Sequence, residues 1–164
     1  MEYEKIFEFF YNNEVRYVIC GGLAVNIYGI PRMTADIDLI IDFSAENISR
    51  FEKCMKKAGY FPSIPFPFKD MESEVKRNNL AKEKNMPVYS FYNSRTGQVT
   101  IDILMQVPLT FEELWDDRET RTVDSVDVYL ASIEHLIRLK EYAGRPQDKS
   151  DILLLSKLPG KNKK

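Results

Sequence analysis

The most constraining feature of the chain is the alternating run TADIDLIID, from Thr34 to Asp42. Strict alternation of apolar and polar residues is typical of a β-strand and determines which side chains share a face. The isoleucines and the leucine of the run then lie on one face, whereas Asp36 and Asp38 lie on the other. Two carboxylates about 7 Å apart on one face repel each other unless water or a cation lies between them. The run therefore predicts a strand that presents a pair of acids.

A third aspartate lies in the second predicted strand, VTIDILM, at residues 99–105. Burying a lone carboxylate in such an apolar run is costly, so we expect Asp102 to face a charged partner or an ion. If the two strands are neighbours, Asp36, Asp38 and Asp102 converge into a site of oxygen ligands. Oxygen ligands favour Mg²⁺ or Mn²⁺ over zinc. Ions held in this way suit phosphoryl or nucleotidyl transfer, because they bridge phosphate oxygens.

A glycine turn precedes these acids. Gly21 and Gly22 follow a short predicted strand, residues 16–20, and begin a short helix. Backbone N–H groups at such a turn can receive a triphosphate, since no side chain is in the way. A Gly-Gly turn is common, however, and an Asp-x-Asp pair often only decorates a solvated strand edge. Each motif by itself therefore also has a purely structural interpretation.

The rest of the pattern predicts an α/β (α+β) fold with a small mixed β-sheet. Helices pack on one face, the metal site lies on the other, and two C-terminal helices close it. Three prolines in six positions at 62–67 exclude a central strand and predict an extended loop. Helices are predicted at 3–12, 23–29, 45–58, within 71–85, at 111–115, 132–143 and 147–155, and hairpins at 88–105 and 120–132.

Length and charge narrow the class of protein. The 164 residues predict a single domain at 1–158 with a flexible tail at 159–164. With 23 basic and 25 acidic residues, the chain has no global basic field, so bulk binding to nucleic acid or to an anionic membrane is not indicated. No run approaches the roughly 18 apolar residues of a membrane span, and the start does not resemble a signal peptide. We therefore expect a cytoplasmic protein.

Other catalytic chemistries have few residues to support them. Cys20 and Cys54 lie in apolar surroundings and are predicted to be reduced core thiols. His135 is the only histidine of the chain, and its spacing predicts a position on a helix face. Serine-histidine catalysis and a His/Cys zinc site are therefore poorly supported.

The order of the motifs resembles the nucleotidyltransferase superfamily, which has the DNA polymerase beta-like fold. The resemblance is carried by GGLAV at 21–25, by Arg32-x-Thr34-x-Asp36-Ile37-Asp38 and by the later Asp102. The segment 132–152 also resembles the Leu-x-x-Lys and Arg-x-x-Asp region of abortive-infection-type nucleotidyltransferase toxins. Together these segments cover about half of the chain.

The resemblance implies a role for each matching residue. Asp36 and Asp38 bind the catalytic metals, Mg²⁺ or Mn²⁺, and Asp102 completes the site and helps to activate the acceptor hydroxyl. Gly21 and Gly22 hold the phosphates of the nucleotide. Arg32, Thr34 and Lys140 are further candidate contacts to the nucleotide.

Structural alternatives remain open for several of these residues. Thr34 has the simpler alternative of capping the strand entry, and Lys140 that of a solvated helix face. Asp148 or Asp151 is the candidate C-terminal acid, although an exposed aspartate in a first helical turn also stabilises the helix dipole.

The implied function is metal-dependent transfer of NMP from an NTP to a hydroxyl group, with release of pyrophosphate. The acceptor remains open between RNA such as tRNA, a small molecule such as an antibiotic, and a partner protein. The alternative is a non-catalytic nucleotide- or partner-binding module of a toxin-antitoxin type system, against which the intact set of three aspartates argues. A homodimer or a toxin or antitoxin partner is expected, and a membrane partner is not.

Overall fold

The computed structural model describes residues 4–93 and 99–159. None of the helices in these residues has both the length and the apolar character needed to cross a membrane. The strands are β1 Tyr17–Cys20, β2 Asp36–Ile41, β3 Tyr60–Pro62, β4 Val88–Asn93, β5 Thr100–Leu104, β6 Glu119–Val123 and β7 Val126–Leu130. The α-helices are α1 Glu4–Asn12, α2 Gly21–Ile27, α3 Ala45–Lys57, α4 Glu74–Glu83, α5 Phe111–Asp116, α6 Ile133–Ala143 and α7 Pro146–Leu155, and a short 3-10 helix spans Phe68–Glu72.

All of these strands belong to one mixed sheet, with the order β3-β4-β5-β2-β1-β7-β6. The aspartate strand β2 lies near the middle, antiparallel to β1 and parallel to β5. The register pairs Asp38 with Asp102 and Asp36 with Thr100. The mixed α/β fold predicted from the sequence is confirmed, and the two aspartate strands are neighbours as expected.

Helices α1 and α3 cover the apolar face of the sheet. The ring of Phe10 on α1 lies 5.0 Å from that of Tyr17 on β1 and 5.2 Å from that of Phe51 on α3. Phe51 in turn contacts Phe91 on β4, with 5.6 Å between ring centroids. Because such rings each contribute about 1.5–3 kcal/mol when fully buried, this layer supplies much of the stability of the core.

Helices α6 and α7 lie on the opposite, charged face. Leu136 and Leu139 of α6 line the same cavity as Asp38 and Asp102. The Ser132 hydroxyl caps the start of α6, and Gly144 ends the helix in the left-handed conformation, with φ of 63°. Pro146 occupies the first turn of α7. The two predicted C-terminal helices are therefore present, and Gly144 and Pro146 separate them.

The structure departs from the sequence prediction in the proline-rich segment. Residues 60–62 form the edge strand β3, antiparallel to β4, where a loop was expected. An edge strand tolerates Pro62 because only one of its sides must donate hydrogen bonds. Most of the turn of the predicted 88–105 hairpin lies at 94–98, outside the described residues. Residues 160–164 of the predicted flexible tail also lie outside them.

Candidate active site

Two carboxylates lie side by side at the centre of the site. Asp38 on β2 and Asp102 on β5 are direct neighbours in the parallel register, and both are partly buried. Burial raises the pKa of Asp38, and the negative charge of Asp102 raises it further. Burial also raises the pKa of Asp102, although a hydrogen bond from the Ser90 side chain partly opposes this shift. Oδ1 of Asp102 is buried without a hydrogen-bond partner among the described residues. Such a pair attracts protons or cations.

The third carboxylate lies at the exposed start of β2. Oδ1 of Asp36 accepts a hydrogen bond of 2.7 Å from the Thr100 hydroxyl, which lies opposite it on β5. Within 4–93 and 99–159, no three His, Cys, Asp or Glu side chains are grouped closely enough to hold a metal ion. The three aspartates thus share one cavity without forming a ready-made three-ligand site. Their oxygen-only chemistry and the unpartnered atom of Asp102 nevertheless fit a hard divalent cation.

The glycine turn is built against these acids. Gly21 has a φ of +64°, and a Cβ atom there would overlap Oδ2 of Asp38. A Cβ atom on Gly22 would lie 2.8 Å from the hydroxyl oxygen of Thr34. The Gly22 N–H donates to the Asp38 carboxylate, which lowers the pKa of Asp38 against the larger effect of burial. Only glycines allow the turn to approach Asp38 and Thr34 so closely.

Two of the predicted phosphate contacts belong to a buried ion-pair network. Nζ of Lys140 lies 2.7 Å from Oδ2 of Asp151 and 3.5 Å from Oδ1 of Asp148. Arg32 forms an ion pair with the same Asp151, and its backbone N–H donates to Asn26. Lys140 is only 3% exposed, Asp148 1% and Asp151 5%. The alternatives of a solvated lysine and exposed helix-start acids are therefore wrong, because α7 folds back over α6.

Arg145 is a residue of the site that the sequence analysis did not single out. Its Nε donates to Oδ2 of Asp148 at 2.9 Å, and it lines the cavity beside Asp38, whose pKa its charge lowers. The sequence did contain a signal for Arg145, because Arg145 and Asp148 form the Arg-x-x-Asp pair within the segment 132–152.

Thr34 contacts the start of the aspartate strand. Its hydroxyl donates to the backbone carbonyl of Asp36 at 3.2 Å.

A cavity of about 520 Å³ brings these residues together. The three aspartates, the two glycines, Arg32, Thr34, Lys140 and Arg145 all line it. Its size is within the range of small-molecule sites, roughly 300–1,000 Å³. A second groove of about 740 Å³ shares Leu104, Gln106, Val107 and Tyr142 with it. The two spaces therefore adjoin.

The remaining candidate nucleophiles and bases are structural. Cys20 and Cys54 are buried free thiols, as predicted, and burial raises the pKa of both. His135 is buried on α6 with its Nε2 3.8 Å from Asp117, outside the aspartate cavity. This position agrees with the predicted helix-face histidine.

Comparison with solved structures identifies the fold as that of nucleotidyltransferases. The lincosamide antibiotic adenylyltransferase LnuA with lincomycin bound superposes with a TM-score of 0.62 at 17% identity, covering 96% of each chain. ANT(2'')-Ia in complex with adenylyl-2''-tobramycin gives a TM-score of 0.58 at 15% identity, covering 93% of this chain and 84% of that one. No curated protein matches the sequence.

The family follows from the sequence match. The family model described as "Nucleotidyl transferase AbiEii toxin, Type IV TA system" matches residues 10–164. The chain belongs to the AbiEii nucleotidyltransferase family.

Proposed function

We propose that the protein transfers NMP from an NTP to a hydroxyl of an acceptor and releases pyrophosphate. The observation that carries the proposal is the facing pair Asp38 and Asp102. The two carboxylates repel each other, and Oδ1 of Asp102 has no hydrogen-bond partner among the described residues, in a cavity that a glycine turn and cationic side chains complete. Burying two neighbouring carboxylates makes the fold less stable, so a role in binding a cation explains the pair better than a structural role does.

Asp36, Asp38 and Asp102 would hold Mg²⁺ or Mn²⁺. When bound, such an ion neutralises charge on the phosphates and polarises the phosphorus that is attacked. Oδ1 of Asp36 accepts a hydrogen bond from Thr100, and the second oxygen of its carboxylate remains for an ion.

The other residues of the cavity bind and orient the nucleotide. Gly21 and Gly22 leave space for phosphate oxygens beside Asp38. Arg32 and Arg145 supply positive charge, and Thr34 supplies a hydroxyl at the same end. Lys140 adds a buried positive charge to the cavity wall and forms ion pairs with Asp151 and Asp148.

Asp102 is the proton acceptor in this proposal. Its unpartnered Oδ1 takes the proton of the acceptor hydroxyl as that oxygen bonds to the α-phosphorus. The bond from the α-phosphorus to the pyrophosphate oxygen breaks, and pyrophosphate leaves.

The acceptor is an RNA, a small molecule or a protein. The fold neighbours include a lincosamide antibiotic adenylyltransferase and ANT(2'')-Ia in complex with adenylyl-2''-tobramycin, whereas the family description names a toxin of a type IV toxin-antitoxin system. The family description also favours an antitoxin as partner, and a homodimer is the alternative assembly.

The test is a transfer assay with each of the four α-labelled NTPs and either Mg²⁺ or Mn²⁺. Total tRNA, a pool of aminoglycosides and lincosamides, and cell lysate serve as separate acceptors. We expect label on one acceptor class and a loss of about 100-fold or more in Asp102→Asn, because the proton acceptor is removed. Asp116→Asn, an exposed aspartate outside the cavity, is the matched control. Equal rates in Asp102→Asn and wild type would reject the mechanism.

The second candidate is a non-catalytic module that binds a nucleotide or a protein partner. The family description favours it, because a toxin of a toxin-antitoxin system implies a partner. Nucleotide binding without transfer to any of the three acceptor pools would support this candidate over the enzyme.

A further inference from the structure

The aspartate cavity has a charged end and an apolar end. Strand β5 starts at Thr100 beside Asp36, passes Asp102 beside Asp38, and ends at Leu104, which pairs with Val88. Because same-face residues follow each other at about 7 Å, the carboxylates and the apolar residues occupy successive positions along the cavity. The glycine turn lies at the carboxylate end, since Cys20 pairs with Asp38.

Tyr142 marks the apolar end. It lines both the aspartate cavity and the adjoining groove. The two spaces also share Leu104, the last residue of β5, and Gln106 and Val107, which follow that strand. Tyr142 is 61% exposed, whereas Leu139 and Lys140 of the same helix are buried. Among the described residues its ring contacts no other aromatic ring. The helix therefore presents a free aromatic face to the cavity.

We propose that Tyr142 is the stacking platform for the base of the bound nucleotide. This inference rests on the proposed function and deepens it. The triphosphate occupies the charged end, the α-phosphate lies at Asp38 and Asp102, and the ribose and base extend towards Leu104 and Tyr142. A nucleotide has the same division into a charged and an aromatic end as the cavity.

The same short segment supports both ends of the nucleotide. Lys140 and Arg145 lie two residues before and three residues after Tyr142, and both are anchored by Asp148. The position of the aromatic ring relative to the cations is thereby determined by α6 and the turn to α7. Stacking accepts every base, since each has an aromatic face, so Tyr142 supplies affinity and not a choice among the four bases.

The test measures nucleotide binding without an acceptor. Isothermal titration calorimetry with Mg²⁺ and the α,β-methylene analogues of ATP, GTP, CTP and UTP avoids turnover. Tyr142→Ala is expected to weaken the binding of every analogue by roughly 10- to 100-fold, as alanine substitution of a stacked aromatic does. Tyr142→Phe keeps the ring and is expected to bind as wild type does. Tyr11→Ala, at a 55% exposed tyrosine on α1, is the matched control.

Inorganic tripolyphosphate separates this inference from the proposed function. It lacks a base, so Tyr142→Ala should bind it as tightly as wild type does. If wild type binds neither tripolyphosphate nor any analogue, the proposed function fails. If wild type binds them and Tyr142→Ala binds the analogues equally well, only the stacking role is refuted. Loss of tripolyphosphate binding in Tyr142→Ala would also refute it, because the effect would then not come from the base.

Discussion

At the scale of single residues, the site depends on one contact that only a glycine permits. Gly21 combines a positive φ with a position directly against the Asp38 carboxylate. The first property is a backbone requirement that a turn often imposes. The second is specific to the site, because a side chain here would displace a proposed metal ligand.

Substituting Gly21 tests these two contributions separately. Gly21→Ala should lower the free energy of unfolding by about 1–3 kcal/mol and abolish nucleotide binding, because the new methyl group collides with Asp38. Gly29→Ala is the control, since Gly29 has a φ of +91° and a Cβ atom there would meet nothing within 4 Å. It should lose stability to a similar degree through backbone strain and keep nucleotide binding. Thermal unfolding and calorimetric titration measure both quantities, and equal nucleotide binding in the two variants would contradict the prediction.

At the scale of elements, the turn from α6 to α7 closes the charged face of the sheet. Asp148 accepts from the backbone N–H and the guanidinium of Arg145 and lies 3.5 Å from Nζ of Lys140. Asp151 joins Lys140 and also Arg32 of the loop before β2. Buried charges of this kind contribute little net stability as intact pairs, but removing one partner is costly. The network therefore serves mainly to hold α7 on the cavity wall.

The pH dependence of stability tests this network. Burial alone would raise the pKa of Asp148, but hydrogen bonds from Arg145 outweigh it and hold the pKa below the usual range of an aspartate. Asp148 therefore stabilises the fold above about pH 4, and this contribution is lost as the pH falls through its folded pKa. Asp148→Asn should lower the free energy of unfolding at pH 7 by about 3 kcal/mol.

The difference between Asp148→Asn and wild type should shrink at lower pH, because wild-type Asp148 then becomes protonated as well. Urea unfolding between pH 3 and pH 7 measures this difference. Asp116→Asn, at an exposed position, provides the reference for a substitution outside the network. A destabilisation that stays constant down to pH 3 would show that charge on Asp148 does not hold the turn.

At the scale of the whole molecule, the sheet places the site on its best protected strands. All four residues of β1 are buried, and β2 lies between β1 and β5. The edge strand β6 has three exposed residues at its centre and only one neighbour, β7. The carboxylates thus lie on the part of the fold that opens least, which keeps their spacing constant.

Hydrogen exchange followed by mass spectrometry measures this distribution. Amides of β1, β2 and β5 are expected to exchange slowest, near the rate of global unfolding, because they are paired on both sides. Amides of β6 should exchange at least about 100-fold faster, since edge strands open locally. Strand β7 lies between β6 and β1, so it provides an intermediate reference. Equal protection of β6 and β1 would contradict this order.

Much of the fold was predictable because its signals are local. The alternation of β2, the serine caps of α3 and α6, and the break at Gly144 and Pro146 each depend on residues a few positions apart. Strand β3 was not predictable. Pro62 is tolerated only at a sheet edge, and the position of a strand within the sheet depends on residues far apart in the sequence.

The sequence by itself determined most of the helices and strands, the shared face of Asp36 and Asp38, and the motif order that indicates the family. Only the tertiary structure decided that Asp102 lies beside Asp38, that Lys140 is buried against Asp151, and that Tyr142 lines the cavity. The physical reason is the range of the interactions involved. Alternation and capping act between near neighbours in the chain, whereas burial and ion pairing depend on which distant segments the fold brings into contact.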